Sequence, residues 1–417
     1  MKFVPKSVLL LLIAFYLLAE LGCGDQYRPV ANPVVSPGGQ PQTTHFAWVL
    51  NSNPSGDGST TEIDVSGDTN QAVNTMGVGT SFEAFPASSL SLYIANSGDD
   101  TVNQFLPTLA GAITTISLLP GSHPVALTST NNSFMFVLNA GFNSACPSTG
   151  SISTINTTTL SVSNTTCVGH NPIAMVQAAT NGWIYVINQG DNSISAFNPA
   201  VPGVVGTITP NEHLGPNPVT LAVNAQGWIF IVTQGDENTP AMLQLCPAGS
   251  FYIAGTTALG VQPTQAVVDP NRNRLYVTNS GDNTVSVFDA SSITQQGNPP
   301  LPLLATVPVG TKPVSVTALL DGTNFYVANA GSNTVTVVSQ SSFTVQATVT
   351  LPSGANPVWI ASDPTSQKVY VADAGTSQTT IIQTSNNTVT QNISSPNQVS
   401  SCPSNCALQT PVMIVTQ

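Results

Sequence analysis

Few side chains in this sequence can do chemistry. Its 417 residues hold four histidines, 7 Lys+Arg and 19 Asp+Glu. His123 and His170 sit one and two residues ahead of a proline in successive Gly-x-x-Pro turns, where an imidazole can act as a base or ligand. His45 and His213 lie outside those turns. Glu83, early in an apolar segment, is the carboxylate placed to act as a base, and Lys312 is the cation of the turns. The residue before the proline is His123, Asn171, Asn217, Gln262, Lys312 or Asn356, with Thr410 before Pro411 and His170 beside Asn171. If the turns surround one mouth, these polar side chains form a ring able to hold a ligand by hydrogen bonds. The same residue types also suit a turn before proline with no ligand at all.

Other chemistries are poorly supplied. A metal held by His123 and His170 needs a third ligand from Glu212, Glu83 or an aspartate, and no spacing enforces one. Asp99, Asp100, Asp191, Asp236 and Asp282 recur singly or in pairs in hairpin turns rather than clustering in one loop, and Asn53–Gly58 has only a loose calcium-loop look. No metal and no cofactor is expected. No Gly-x-Ser-x-Gly elbow, phosphate loop or Cys-x-x-Cys-His motif occurs. With 26 charged residues and a formal net charge of −12, the chain has no electrostatic footing for nucleic acid. After Cys23, five cysteines remain: Cys146, Cys167, Cys246, Cys402 and Cys406. Cys146 can pair with Cys167 and Cys402 with Cys406, leaving Cys246 free, but spacing does not settle the pairing.

The elements that must position these residues are strands. The apolar content is 41%, with 32 Gly and 32 Pro as punctuation, which fits an all-β chain with many turns. One unit recurs: β-formers, Asn, a small residue, Gly, a polar turn and a second strand. Its clearest copy is Leu275-Tyr276-Val277-Thr278-Asn279-Ser280-Gly281-Asp282-Asn283-Thr284-Val285. The anchors Asn51, Asn96, Asn139, Asn188, Gln234, Asn279, Asn329 and Asp373 are separated by 45, 43, 49, 46, 45, 50 and 44 residues. A period of about 45 residues made of strands and turns matches four-stranded propeller blades. In each unit strand A follows Gly-x-x-Pro and strand B ends at the anchor; strand C follows the Gly-Asp-Asn turn and strand D returns. Gly79-Thr80-Ser81-Phe82 reads as a degenerate Gly-x-x-Pro. The first unit lacks a strand A, and the last segment, Thr410–Thr416, is a strand A without a strand B. The two ends therefore complete one blade and close the ring. Counting anchors gives eight blades, with seven as the alternative.

Tyr276-Val277-Thr278-Asn279 and its turn resemble the YVTN-type β-propeller repeat of archaeal surface-layer proteins and bacterial secreted or lipid-anchored proteins, over about residues 45–417. The resemblance implies a propeller of the superfamily that includes lactonase-like enzymes, most members being binding modules. Residues 1–23 read as a signal: Lys2 and Lys6, the apolar run Val8–Ala19, then Leu21-Gly22-Cys23. This end resembles a lipoprotein box with Cys23 acylated, although Glu20 stands where that box prefers an aliphatic residue. Gly24 after the cysteine points away from inner-membrane retention. Residues 24–44 read as a tether and 45–417 as the propeller. The sequence thus suggests an extracytoplasmic protein of the bacterial envelope, an outer-membrane or surface lipoprotein touching the membrane through its N-terminal lipid. It reads as a monomeric, non-catalytic binding or scaffold module for protein or glycan partners. The alternative is a lactonase-like hydrolase of a neutral lactone using Glu83, His123 and Lys312.

Overall fold

The computed structural model describes residues 46–53, 56–65, 67–84, 91–106, 112–129, 133–201, 205–291, 293, 301–396 and 409–416. The signal, Cys23, the tether, His45, Cys402 and Cys406 lie outside them. The chain forms eight four-stranded antiparallel sheets, each with strand A innermost and strand D outermost. Eight is therefore the blade number, and the seven-bladed alternative falls. Each strand A packs against the next around the ring, Thr410–Thr416 lying against both Pro357–Ser362 and Thr80–Ala84.

Closure follows the expected route. Thr410–Thr416 is the inner strand of blade one and pairs antiparallel with Phe46–Ser52, with Val49 opposite Ile414. Asp57–Asp64 and Thr69–Val78 complete that blade. The first and last strands of the described chain thus share a sheet, which gives blade one the same four strands as the other seven and closes the ring.

Eight apolar clusters fill the eight seams between neighbouring blades. A half-buried sheet would alternate apolar and polar residues along each strand, but strand B is buried on both faces. Leu92–Asn96 and Ile184–Asn188, for example, are buried throughout. A strand sandwiched between two neighbouring blades becomes a continuous apolar run. Tyr93, Tyr185, Tyr276, Tyr326 and Tyr370 are fully buried at its second or third position. Alternation survives in the outer strands, such as Leu303–Pro308 and Val345–Thr350.

Two positions of the repeat shift from the sequence reading. In blade five Thr233, not Gln234, stands opposite Pro218, where the other anchors face their prolines. Thr233 is fully buried and its hydroxyl contacts the Met242 carbonyl; a polar residue beside it in sequence masked the register. In blade two the turn reads Gly77-Val78-Gly79-Thr80, because Thr80 stands opposite Asn96. Cys146 and Cys167 form a disulfide that ties the long B–C loop of blade three to its outer strand, and Cys246 is a buried free thiol. Burial pushes the Cys246 thiol up to about 11.

Candidate functional site

The Gly-x-x-Pro turns and the B–C turns share one face of the ring. The link is chemical. In the Gly-Asp-Asn turn, the aspartate holds its own blade: Asp282 Oδ2 accepts from Val261 N–H at 2.6 Å, and Asp191 Oδ2 from His170 N–H at 2.6 Å. The next residue holds the following blade. Asp100 Oδ1 accepts from His123 N–H at 2.7 Å, Asn192 Oδ1 from Asn217 at 2.7 Å, Asn283 Oδ1 from Lys312 at 2.9 Å, and Asn333 Oδ1 from Asn356 at 2.7 Å. The motif is therefore a pair of staples, one within a blade and one between blades.

The geometry explains the residue types. His123, Asn171, Asn217, Gln262, Lys312 and Asn356 all have φ between 43° and 54°, and the stapling residues Asp100, Asn192, Asn283 and Asn333 lie at 49–57°. Asparagine tolerates this left-handed region better than most residues. Glycine after the anchor is required by close approach: a Cβ on Gly141 would stand 2.1 Å from the Gly121 carbonyl oxygen, and one on Gly375 2.1 Å from that of Gly354. Replacing Asn283 with alanine is expected to cost about 1 kcal/mol, since the bond lost is solvent-exposed and alanine tolerates the left-handed backbone less well than asparagine. Asn283→Asp, the residue type of Asp100, should restore most of it. The midpoint of urea unfolding reads both.

Below the turns the anchor side chain ties strands B and C. Asn279 Nδ2 donates to Thr284 Oγ1 at 3.1 Å and Ser286 Oγ at 3.0 Å, and Asn96, Asn139, Asn188, Asn329 and Asn51 repeat the pattern. In blade eight the anchor is Asp373, fully buried, and burial pushes its carboxyl up to about 7.

The ring of pre-proline residues is exposed, and its members differ in how they are held. His123 Nδ1 lies 2.8 Å from the Ser97 carbonyl, His170 Nδ1 2.6 Å from Asp191 Oδ1, and Asn217 Nδ2 donates to the Gly235 carbonyl at 2.7 Å. Asn171 Nδ2 donates to Gln189 Oε1. Gln262, Lys312 and Asn356 make no side-chain hydrogen bond to another described residue. Thr410 already lies within its strand. His123 and His170 head successive blades, three and four, whereas Lys312 heads blade seven, half the ring away from His123. Glu83 lies in strand A of blade two, opposite Ile94. Among the described residues no three His, Cys, Asp or Glu side chains gather at one point. The other described basic residues bridge blades elsewhere: Lys368 pairs with Asp68 at 2.6 Å, Arg272 reaches Gln340, and Arg274 lies over the Phe343 ring.

The sequence reading missed a cavity of about 650 Å³ on the opposite face, in the seam between blades three and four. Phe134, Phe136 and Phe197 form its apolar wall, and Thr154, Asn164 and Gln177 supply polar groups. Aligning the blades would not have flagged it, because the position of Thr154 is apolar in blades four to eight (Ala196, Leu245, Val287, Val337, Ile381) but polar in blades one and two (Glu62, Gln104).

No family model matches the chain, and no curated protein matches it in sequence. Solved structures match in shape. Dihydro-heme d1 dehydrogenase NirN, solved in complex with DHE, superposes with a TM-score of 0.68 at 10% identity, covering 94% of this chain and 79% of that one. Apo AztD from Citrobacter koseri gives 0.57 at 13% identity, over 89% and 98%. The β-propeller domain of Cps50 (Swd1) from Myceliophteria thermophila gives 0.56 at 12% identity, over 72% and 95%. At such identities the likeness carries architecture and no activity: this chain is an eight-bladed β-propeller.

Proposed function

We propose that the chain is a non-catalytic binding propeller of the YVTN type, displayed on a bacterial envelope through a lipid on Cys23 or secreted, and recognising an uncharged glycan or protein partner. The carrying observation is the chemistry of the loop face. Its exposed ring is built mainly of neutral amides on backbone fixed by cross-blade hydrogen bonds. Such a surface selects by hydrogen-bond geometry rather than by charge. The Cys146–Cys167 disulfide supports an oxidising compartment. His123 and Lys312, on opposite sides of the ring, are too separated to share one reacting atom, which argues for binding over hydrolysis.

The test joins a binding screen to a turnover assay. Neutral oligosaccharides are expected to raise the melting temperature, since a ligand at 100 times its Kd adds about 2.7 kcal/mol. Neutral sugar lactones should not be hydrolysed above the background rate. Lactone hydrolysis that disappears in Glu83→Gln, His123→Ala or Lys312→Ala would overturn the reading in favour of a hydrolase.

A further inference from the structure

The two faces of the ring expose different chemistry. Strands A and C run away from the loop face and strands B and D run back, so the A–B and C–D connections form the opposite face. Among the described residues, eight of the eleven exposed large apolar residues lie at that end. Leu320 is in an A–B turn, and Phe134 opens strand B of blade three. Val201 and Tyr252 are in C–D connections, and Ile113, Leu303, Leu304 and Val345 hold the first or second position of outer strands. Five of the eight, Tyr252, Leu303, Leu304, Leu320 and Val345, belong to blades five, six and seven. The loop face exposes Phe142 and Val261, and Val73 sits midway along its strand.

The exposed charges divide the other way. Asp57, Asp99, Asp191 and Asp282 stand in or beside B–C turns, Asp236 and Glu237 in that of blade five, and Glu212 in the connection before blade five. The loop face thus carries these seven exposed carboxylates against one lysine, Lys312. The opposite face exposes Asp321 and Arg272, while its other described charged side chains are buried or half-buried, Lys368 being paired with Asp68. The chain also reaches the ring on this face. Phe46 opens strand B of blade one at the A–B end, so the 45 residues before it join the propeller here. The densest apolar group lies two to four blades away around the ring.

We propose that the face made by the A–B and C–D connections docks on a phospholipid bilayer, with Tyr252, Leu303, Leu304, Leu320 and Val345 at the headgroup boundary and the pre-proline ring turned outward. The arrangement favours lipid over a folded partner. A protein interface packs a contiguous dry core, whereas these side chains stand singly or in pairs along a rim. A bilayer boundary is planar and fluid, so it accepts separate leucine, phenylalanine and tyrosine side chains without a matching shape. A leaflet holding anionic lipid repels the carboxylate-rich loop face and meets no net exposed charge on this one. The proposal rests on the envelope-display reading for the presence of a membrane, and it fixes which way the binding ring points.

The experiment is vesicle flotation. Residues 46–416 build all eight sheets, so a chain of residues 24–417 keeps the whole ring while lacking the signal and Cys23. With vesicles of phosphatidylethanolamine and phosphatidylglycerol in equal parts, this chain is expected to float. Leu303→Ser/Leu304→Ser/Val345→Ser changes exposed positions, so it should melt near the wild type and partition about tenfold more weakly. Phe142→Ser/Val261→Ser removes the same kind of side chain from the loop face and should float as the wild type does. A wild-type chain that stays at the bottom of the gradient overturns the docking surface and leaves that face to a protein partner. Flotation lost in the loop-face double variant but kept in the triple one reverses the orientation and overturns the proposal. Equal flotation of all three forms assigns the binding to residues 24–45 and overturns it as well. Acylation of Cys23 is read separately, by mass spectrometry of the full chain extracted from membranes. Its absence would remove the lipid tether of the display reading and leave the flotation result standing.

Discussion

Replacing Asp373 by asparagine is expected to stabilise this propeller above neutral pH and to leave it nearly unchanged at pH 4. Six blades place an asparagine at this position with its Nδ2 donating to strand C. Asp373 has no such donor unless it is protonated. Its partner Thr380 gives the reason it should be. The Thr380 hydroxyl lies 2.5 Å from Asp373 Oδ2 and 2.7 Å from Asn392 Oδ1, yet a hydroxyl has one proton. Both bonds are satisfied when the carboxylic acid donates to Thr380 and Thr380 donates to Asn392. Asp373 Oδ1 has no partner, as is also true of the anchor Oδ1 atoms of Asn96, Asn139, Asn279 and Asn329. A neutral acid therefore occupies this site as an amide does in the sister blades, whereas a carboxylate would sit there buried and uncompensated.

The sign of the pH dependence follows. Burial raises the folded value from 3.8 to about 7, so between these values the folded chain binds the proton and the unfolded chain does not. This contribution to stability is complete below the unfolded value and is lost as pH rises through the folded one. The difference of about 3 units corresponds to roughly 4 kcal/mol by pH 8. Melting curves of the wild type should therefore fall away from those of Asp373→Asn between pH 4 and pH 8. Asp373→Leu, which keeps the site neutral but removes the donor, should be less stable than Asp373→Asn throughout. Parallel pH profiles for wild type and Asp373→Asn would show that Asp373 is ionised in the folded chain across this range.

How much of this was legible in the sequence depends on the distance over which the physics acts. The blade period, the anchors and the closing strand are local: a strand, a turn and a strand within some fifteen residues, repeated, with an unpaired strand A at the end. The Gly-Asp-Asn turn was read as hairpin chemistry, which its left-handed residues bear out. Its second duty was not visible, because Asn283 meets the Lys312 amide only after strands C and D have run down and back. Thr233 was misplaced by one residue because Gln234, the more polar neighbour, looks more like an anchor than a threonine does. The seam cavity was hidden for a related reason. Phe134 and Phe136 of blade three meet Phe197 of blade four only once the two blades are packed side by side. Composition gave the class of surface, but the ring residues' roles depend on which blade each one heads.

Removing the last strand should cost more than any point substitution. Thr410–Thr416 is the inner strand of a blade whose other three strands come from the opposite end of the chain, so its pairing with Phe46–Ser52 joins two segments separated by the whole ring. Pro411, Met413 and Ile414 are buried, and Ile414 belongs to the cluster shared by blades eight and one. The Ile414 carbonyl accepts from Trp359 Nε1 at 3.1 Å, and Thr416 Oγ1 donates to the Ser362 carbonyl at 2.7 Å. Burial of each large apolar side chain is worth about 1.5–3 kcal/mol. With the ladder bonds added, the loss approaches the 5–15 kcal/mol that typically holds a folded chain together. It also leaves the inner side of Phe46–Ser52 as a fresh unpaired edge and opens a gap between Pro357–Ser362 and Thr80–Ala84. Exposed edges pair with other chains. A chain ending at Leu408 is therefore expected to aggregate on expression, and a synthetic peptide of residues 409–417 added during refolding should recover soluble protein. Ile414→Asp, which keeps the strand but buries an unpaired charge in the seam, should lower the melting temperature without complete loss of solubility. A soluble truncated chain that melts where the full chain does would show that the ring is held shut by the seam contacts of blades one, two and eight alone.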